Sequence, residues 1–286
     1  MTYEKLLKQA YKKIKNLNKE EEAVKLLLME LSHQDPHQFY LNLKSDVDEA
    51  YKNEFLTKLD LYIERDVPVQ HLIGYSYFYG HPFIVNSDVL IPRSETEQLV
   101  EHVLYYYDRY FSPDHAKVLD LGTGSGCIGL TLALEEEKID VTISDISEQA
   151  LKVAHDNKVK LSAKAQIILS DLFDNIEGTF NLIISNPPYI PDEEVVQDEV
   201  KKEPKVALYG GQLGVDFYEK ILQQAKPYLK EKALIAFEHG YQQKSKIYEF
   251  ARINFPDATI LQLKDLSGKD RFTLIGLGGV LEHENR

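Results

Sequence analysis

The sequence predicts an α/β protein: a mostly parallel, seven-stranded sheet covered by helices on both faces, preceded by a small helical bundle and a β-hairpin linker. Three observations carry this. The first 65 residues hold only helical periodicity, seven short apolar runs alternate with helical patterns beyond residue 114, and a glycine-rich loop follows the first of those runs.

Taken in order, the first helical segment covers residues 3–14. A second, near residues 20–31, sets Ala23, Leu27 and Leu31 on one face, and Asp35-Pro36 prevents its continuation. The third is expected to start near Ser45, whose hydroxyl can cap it with Asp46, Asp48 and Glu49 in the first turn. It carries Phe55, Leu59 and Ile63 at fourfold spacing. From Gly74 the pattern changes to two short strands, residues 75–79 and 83–85, around a turn at Gly80-His81-Pro82. Ser94 and Glu97 then read as a capping box opening a helix through Leu99, Val103 and Tyr107. The expected domains are therefore residues 1–72, a linker 73–92, and residues 93–286. In the Tyr105-Tyr106-Tyr107 run one buried ring with two flanking ones is a better reading than a stacking platform.

The sheet runs are residues 117–121, 141–143, 166–169, 180–184, 233–237, 259–261 and 271–275. The last two are too close for a crossover helix, so they pair antiparallel. The alternation is Rossmann-like.

Composition narrows the class. With 286 residues, 43% hydrophobic and 28% charged, the chain can bury an ample core without staples. No apolar run approaches the roughly 20 residues that span a bilayer, and the N-terminus lacks a leader's layout, so a cytoplasmic location and no membrane partner are expected. The lone Cys127 offers no internal disulfide and no cysteine zinc cluster, and no metal is expected. A formal charge of −13 opposes direct nucleic-acid binding. The basic clusters Lys12-Lys13-Lys15 and Lys201-Lys202 sit among acids and read as solvated helix faces.

The loop Gly122-Thr123-Gly124-Ser125-Gly126 lies between a strand and a helix, where glycines let a ligand approach backbone and free amides favour a negative group. Asp145, about 20 residues on at the end of the next strand, can accept both hydroxyls of a ribose. Because Gly124, Gly126 and Gly129 also match G-x-G-x-x-G, a nicotinamide dinucleotide is a rival. Asp120 could meet a cofactor ammonium and Asp171 an adenine amino group, which favours S-adenosylmethionine. Cys127, at a helix start with no adjacent base, reads as packing rather than a nucleophile.

After the fourth run comes Asn186-Pro187-Pro188-Tyr189. Two prolines remove two amide donors, leaving outward carbonyls, to which Asn186 adds its side-chain oxygen and Tyr189 an aromatic face. Such a notch suits a planar NH₂ held by the Asn186 oxygen and the Pro187 carbonyl, its nitrogen aimed at an electrophilic methyl.

Here the chain resembles a family. The tetrapeptide and the glycine loop look like those of class I amino-methyltransferases. Residues 91–97, Glu203-Pro204, Ala207-Leu208, Gly210-Gly211 and residues 237–240 narrow the resemblance to the HemK/PrmC release-factor glutamine methyltransferases. It covers nearly the full length and implies a seven-stranded methyltransferase sheet. It further implies methylation, from S-adenosylmethionine, of the amide nitrogen of the glutamine in the Gly-Gly-Gln motif of class I peptide-chain release factors. By the same resemblance Gly122 to Gly126 and Asp145 hold the cofactor, Leu172 beside Asp171 covers the adenine, and Asn186 to Tyr189 grip the glutamine. The family often carries a tryptophan where this chain has Leu172, and the chain has none. Arg93, Glu95 and Glu97 match a family segment, with Arg93 and Glu97 assigned to the substrate wall or, for Glu97, to the cap. His239 beside Glu238 reads as packing.

A nucleic-acid amine methyltransferase would use the same notch, with the −13 charge against it. The helical domain is expected to dock the release factor, and the chain to act as a monomer.

Overall fold

The computed structural model describes residues 1–284. The chain divides into two compact units: Met1–Tyr75 with Val196–Lys202, and Ser76–Val195 with the described residues from Glu203 on. The first takes in the expected helical domain, three further residues, and a short segment from much later in the chain.

The first unit holds five helices where three were expected: α1 (Tyr3–Ile14), α2 (Glu21–Leu31), α3 (Pro36–Leu41), α4 (Glu49–Arg65) and α5 (Val69–Ile73). Asp35-Pro36 both ends one helix and starts another, since Asp35 accepts the Gln38 amide and proline suits a first turn. On α2 the buried stripe is Val24, Leu27, Leu28 and Leu31, with Ala23 at its edge. The α4 cap is Asp48, accepting the Ala50 amide at 2.8 Å, and not Ser45. Ser45 instead gives its carbonyl to the Tyr3 amide, Thr2 bridges Asp46 antiparallel, and Val47 donates to Met1. Residues paired this way are extended, so the helix starts later. Phe55, Leu59 and Tyr62 are buried and Ile63 lies beside them.

The hairpin joins β1 (Tyr75–Phe78) to β2 (His81–Ile84). Its turn residues are Tyr79 and Gly80, at φ 52° and 78°. Such a turn matches strand twist only with positive φ, which proline cannot adopt, so Pro82 lies in the strand and the expected turn moves back. α6 (Ser94–Tyr110) follows, without the expected capping box. Ser94 is its first helical residue, its hydroxyl donates to Glu95, and Glu97 accepts the Tyr79 amide at 2.6 Å.

Then come β3 (Ala116–Leu121), α7 (Cys127–Glu135), β4 (Ile139–Asp145), α8 (Glu148–Leu161), β5 (Ala165–Leu169), β6 (Phe180–Ser185), α9 (Asp216–Gln224), β7 (Leu229–Glu238), α10 (Lys244–Asn254), β8 (Thr259–Lys264) and β9 (Asp270–Leu277). The seven-stranded sheet runs β5-β4-β3-β6-β7-β9-β8. Its first five strands are parallel, and β9 is antiparallel to both neighbours. Strand alternation splits the core. Val118, Leu182 and Ile184 join the layer that includes Leu99 and Leu130, while Leu119 and Ile183 join the one that includes Tyr218 and Ile247. From β3 the chain builds outward through β4 and β5, then returns to place β6 on the other side. That reversal leaves a crevice at the carboxyl ends of β3, β4 and β6. No described helix is long and apolar enough to cross a membrane.

Candidate functional site

Three alternate residues, Gly122, Gly124 and Gly126, take left-handed backbone at φ 71°, 55° and 85°, which folds the chain back over the end of β3. The Gly122 and Thr123 amides both donate to the Ser144 carbonyl at 2.9 Å, tying the loop to β4. Behind the loop, Asp120 Oδ2 accepts the Thr123 hydroxyl at 2.6 Å and the Gly129 amide at 3.0 Å. Asp120 has no exposed surface, and burial pushes its pKa up to about 6. It therefore braces the loop from inside and is not on the crevice wall, contrary to the ammonium contact expected for it. Its position on β3 points its side chain to the same face as Val118.

Asp145, ending β4, accepts the Gly124 amide through Oδ2 and the Ser147 amide through Oδ1, each at 2.9 Å. Burial raises its pKa against those two hydrogen bonds. Each oxygen keeps a lone pair, so two hydroxyls can still be accepted. Asn157 secures the far side of the loop. Its Nδ2 donates to the Ser125 and Ile84 carbonyls, and its Oδ1 accepts the Ile84 amide.

The crevice holds a cavity of about 150 Å³ that opens to solvent. Of the expected cofactor residues, Gly122, Thr123, Gly124, Ser125, Asp145, Asp171 and Leu172 line it. Gly126 does not; it serves as the N-cap of α7. Leu172 is left-handed at φ 45°, held by Ser170 Oγ donating to its carbonyl at 2.9 Å. The donor set fits S-adenosylmethionine: a carboxylate for ribose hydroxyls, an acid and an aliphatic wall for adenine, and a side-chain-free loop. The Cys127 thiol is pushed up to about 12 by burial and by nearby Asp120, so it stays protonated and is no nucleophile. Among the described residues no cluster of histidine, cysteine or acids could hold a metal ion.

Asn186, Pro187, Pro188 and Arg93 line the same crevice. Asn186 Nδ2 donates to Thr96 Oγ1 at 3.3 Å, and the buried Glu238 carboxylate lies behind them, close enough for both to lower its pKa. With the amide nitrogen engaged there, Oδ1 is the atom left for the crevice. Tyr189 departs from expectation. Its ring packs against the core layer that includes Leu119, Ile183 and Tyr218 rather than lining the crevice, and burial pushes its hydroxyl up to about 12. Its carbonyl accepts Gln243 Nε2 at 2.6 Å. The tetrapeptide is pressed from outside by a second loop, in which a β-carbon on Gly210 would stand 2.2 Å from the Pro188 oxygen.

Arg93 donates to Glu203 Oε1 at 2.5 Å, while Glu203 Oε2 accepts the Ile91 amide at 2.9 Å. Glu97 lies off the crevice wall, committed to the hairpin. His239 is buried, donating from Nδ1 to the Gly240 carbonyl and accepting the Thr273 hydroxyl at Nε2, and burial lowers its pKa; it packs. Local reading passed over Thr96, Asn157, Glu238 and Gln243 as site residues. Thr96, Glu203 and Glu238 had a signal only in lying within the segments that carry the resemblance; Asn157 and Gln243 had none.

Residues 97–241 match the Methyltransferase small domain family. The release factor glutamine methyltransferase of Bacillus subtilis is 38% identical over 272 residues, covering 93% of this chain and 94% of that protein. Its counterpart from Bacillus cereus is 35% identical over 274 residues, covering 93% and 95%. A crystal structure of a methyltransferase from Pyrococcus furiosus shares the fold, with a TM-score of 0.52 at 19% identity over 71% of this chain and 91% of that one. By these full-length likenesses, the chain belongs to the release factor glutamine methyltransferase family.

Proposed function

We propose that this chain methylates the side-chain amide nitrogen of the glutamine in the Gly-Gly-Gln motif of class I peptide-chain release factors. The observation that carries the reading is the Asn186 amide, whose nitrogen is held from behind so that its oxygen serves the crevice beside the glycine loop. S-adenosylmethionine, when bound, supplies an electrophilic methyl carbon on a sulfonium. Gly122 to Ser125 and Asp145 hold its amino-acid and ribose parts, and Asp171 and Leu172 its adenine.

The substrate nitrogen is a weak nucleophile because its lone pair is delocalised into the carbonyl. Asn186 Oδ1 and the Pro187 carbonyl, two acceptors fixed in advance, take its two hydrogens and orient it. They would also stabilise the positive charge that grows on nitrogen as the N–C bond forms and the S–C bond breaks, the sulfur leaving as a neutral thioether; the nitrogen would then lose one proton to water, so no strong base is needed. Pro187 and Pro188 keep this segment free of competing donors. Tyr189 acts through the backbone it anchors, and Arg93, pinned by Glu203, forms part of the crevice wall. The helical unit docks the release factor, and the enzyme works as a cytoplasmic monomer.

Incubation with methyl-labelled S-adenosylmethionine, a purified class I release factor and duplex DNA tests the reading. Label should enter the release factor and vanish when its loop glutamine is replaced; label in DNA would overturn it. Asn186→Ala should keep S-adenosylmethionine affinity within about threefold while turnover falls by about 100-fold or more.

A further inference from the structure

We propose that Glu238, acting through Thr96, is a positioning residue that locks the Asn186 side chain with its oxygen toward the substrate. The inference rests on the notch reading above and deepens it. An asparagine amide is nearly symmetric in shape, so a half-turn about its last bond would present NH₂ where an acceptor is needed. A donor there would repel the hydrogens of the substrate nitrogen. Something must therefore break the symmetry, and in the described structure it lies behind the side chain.

Thr96 is 2% exposed and Glu238 1% exposed. Thr96 Oγ1 receives Asn186 Nδ2, which leaves the hydroxyl proton of Thr96 for the Glu238 carboxylate. Both groups accept from the amide side, so only the nitrogen of Asn186 can face them. Three elements contribute, α6 through Thr96, the exit of β6 through Asn186 and the end of β7 through Glu238, so the lock is set by the tertiary fold. Glu238 Oε2 is buried without a hydrogen-bond partner. A carboxylate buried so incompletely satisfied costs stability. A purely structural tie between α6 and β7 would be better served by a neutral side chain. A negative group behind the amide also polarises it, which makes Oδ1 a stronger acceptor.

Glu238 is faced by Glu95 and Thr96 from α6, Arg271 from β9, Asn186 and Tyr189 from the β6 exit, Tyr218 from α9 and Cys127 from α7. Burial raises its pKa to about 7, with Thr96, Arg271 and Asn186 opposing and Glu95 adding to the rise. Tyr189, Tyr218 and Cys127 all hold their protons above their ordinary values and stay neutral there. Turnover should accordingly climb as pH rises through about 7 and Glu238 becomes a pure acceptor.

The test is methyl transfer to a class I release factor by the full-length enzyme and by Thr96→Val, Thr96→Ser, Glu238→Gln and Asn186→Ala. Thr96→Val should lower kcat by about 10- to 100-fold with S-adenosylmethionine Kd and release-factor KM within about threefold, and Thr96→Ser should restore it. Glu238→Gln, close to isosteric, should lower kcat and flatten its rise near pH 7. Wild-type kcat and pH profile in both Thr96→Val and Glu238→Gln, beside a collapsed Asn186→Ala, would overturn the lock and leave the notch reading intact. The lock is equally overturned if the two variants shift Kd or KM while kcat holds. An unaffected Asn186→Ala overturns the notch reading and the lock with it.

Discussion

Asp120 and Asp145 end neighbouring strands and look interchangeable in the sequence, yet alternation turns one inward and leaves the other on the crevice. Asp145 meets two backbone amides and retains capacity for two hydroxyls. Asp145→Ala should weaken S-adenosylmethionine binding by about 1.5–3 kcal/mol, read by titration calorimetry. Asp120 should instead show itself in stability against pH. Its carboxyl is raised from 3.8 to about 6 in the folded protein, so its contribution is fully present below pH 3.8 and is lost as pH climbs through about 6. Asp120→Asn keeps an acceptor for Thr123 and Gly129 and cannot ionise. Wild type should therefore lose on the order of 2 kcal/mol relative to this variant between pH 4.5 and 7.5. Urea denaturation at the two pH values measures it, and equal shifts in both proteins would contradict the buried, ionising role.

At the scale of elements, the tetrapeptide depends on the loop outside it. The Gly210 amide donates to the Ile190 carbonyl and the Ile190 amide to Leu208, which draws the two segments together until no β-carbon fits at Gly210. Gly210→Ala must push the Pro188 carbonyl aside and should lower turnover by about 10-fold or more with the secondary structure unchanged in circular dichroism. Gly178→Ala is the control. Its φ of 88° is strained for alanine but the space is open, so it should cost about 1 kcal/mol and leave turnover alone. Equal turnover losses would mean that backbone strain, not the carbonyl, is what matters. The same elements show where local reading succeeds. Seven apolar runs became seven strands because strand patterning is local, and Asn186 and Asp145 were found because a strand end beside a glycine loop is a local signature. The β6 exit needed Thr96, Glu238 and Gln243 from distant parts of the chain; Thr96 and Glu238 fall inside segments that carry the family resemblance, but no local pattern shows that they meet Asn186. The Ser94 box and the Ser45 cap failed for the converse reason. Both had the right local residues, and long-range partners, the Tyr79 amide and the first residues of the chain, took the groups or the backbone those caps required.

At the scale of the whole chain, the expected boundary after residue 72 treated the helical domain as one stretch, but Val196–Lys202 belongs to it as well. Lys19 explains how. Its side chain is 6% exposed and its ammonium donates to Asp66 and to Glu199, each at 2.8 Å, above the Tyr62 ring. Burial alone would lower its pKa, and the two carboxylates more than reverse that, so the cation is held. Periodicity could not reveal this, because the late segment is bound by one buried charge rather than by an apolar stripe. Directly after it in the chain, Glu203 holds Ile91 and Arg93 at the crevice. Excising residues 1–72 would thus strip the late segment of its partners, and a point substitution is the cleaner probe. Lys19→Met keeps the length and apolar stem but removes the charge, leaving Asp66 and Glu199 facing each other. With both acids about one-third exposed, water softens the repulsion, and the loss should be about 1–3 kcal/mol. Limited proteolysis should then cut within residues 192–202 several times faster, while S-adenosylmethionine Kd stays within about threefold because Glu203 keeps its own bonds. If the cofactor Kd moved in step with the cleavage rate, the late segment and the crevice wall would be one cooperative piece, and the division of the chain at Lys202 would not hold in solution.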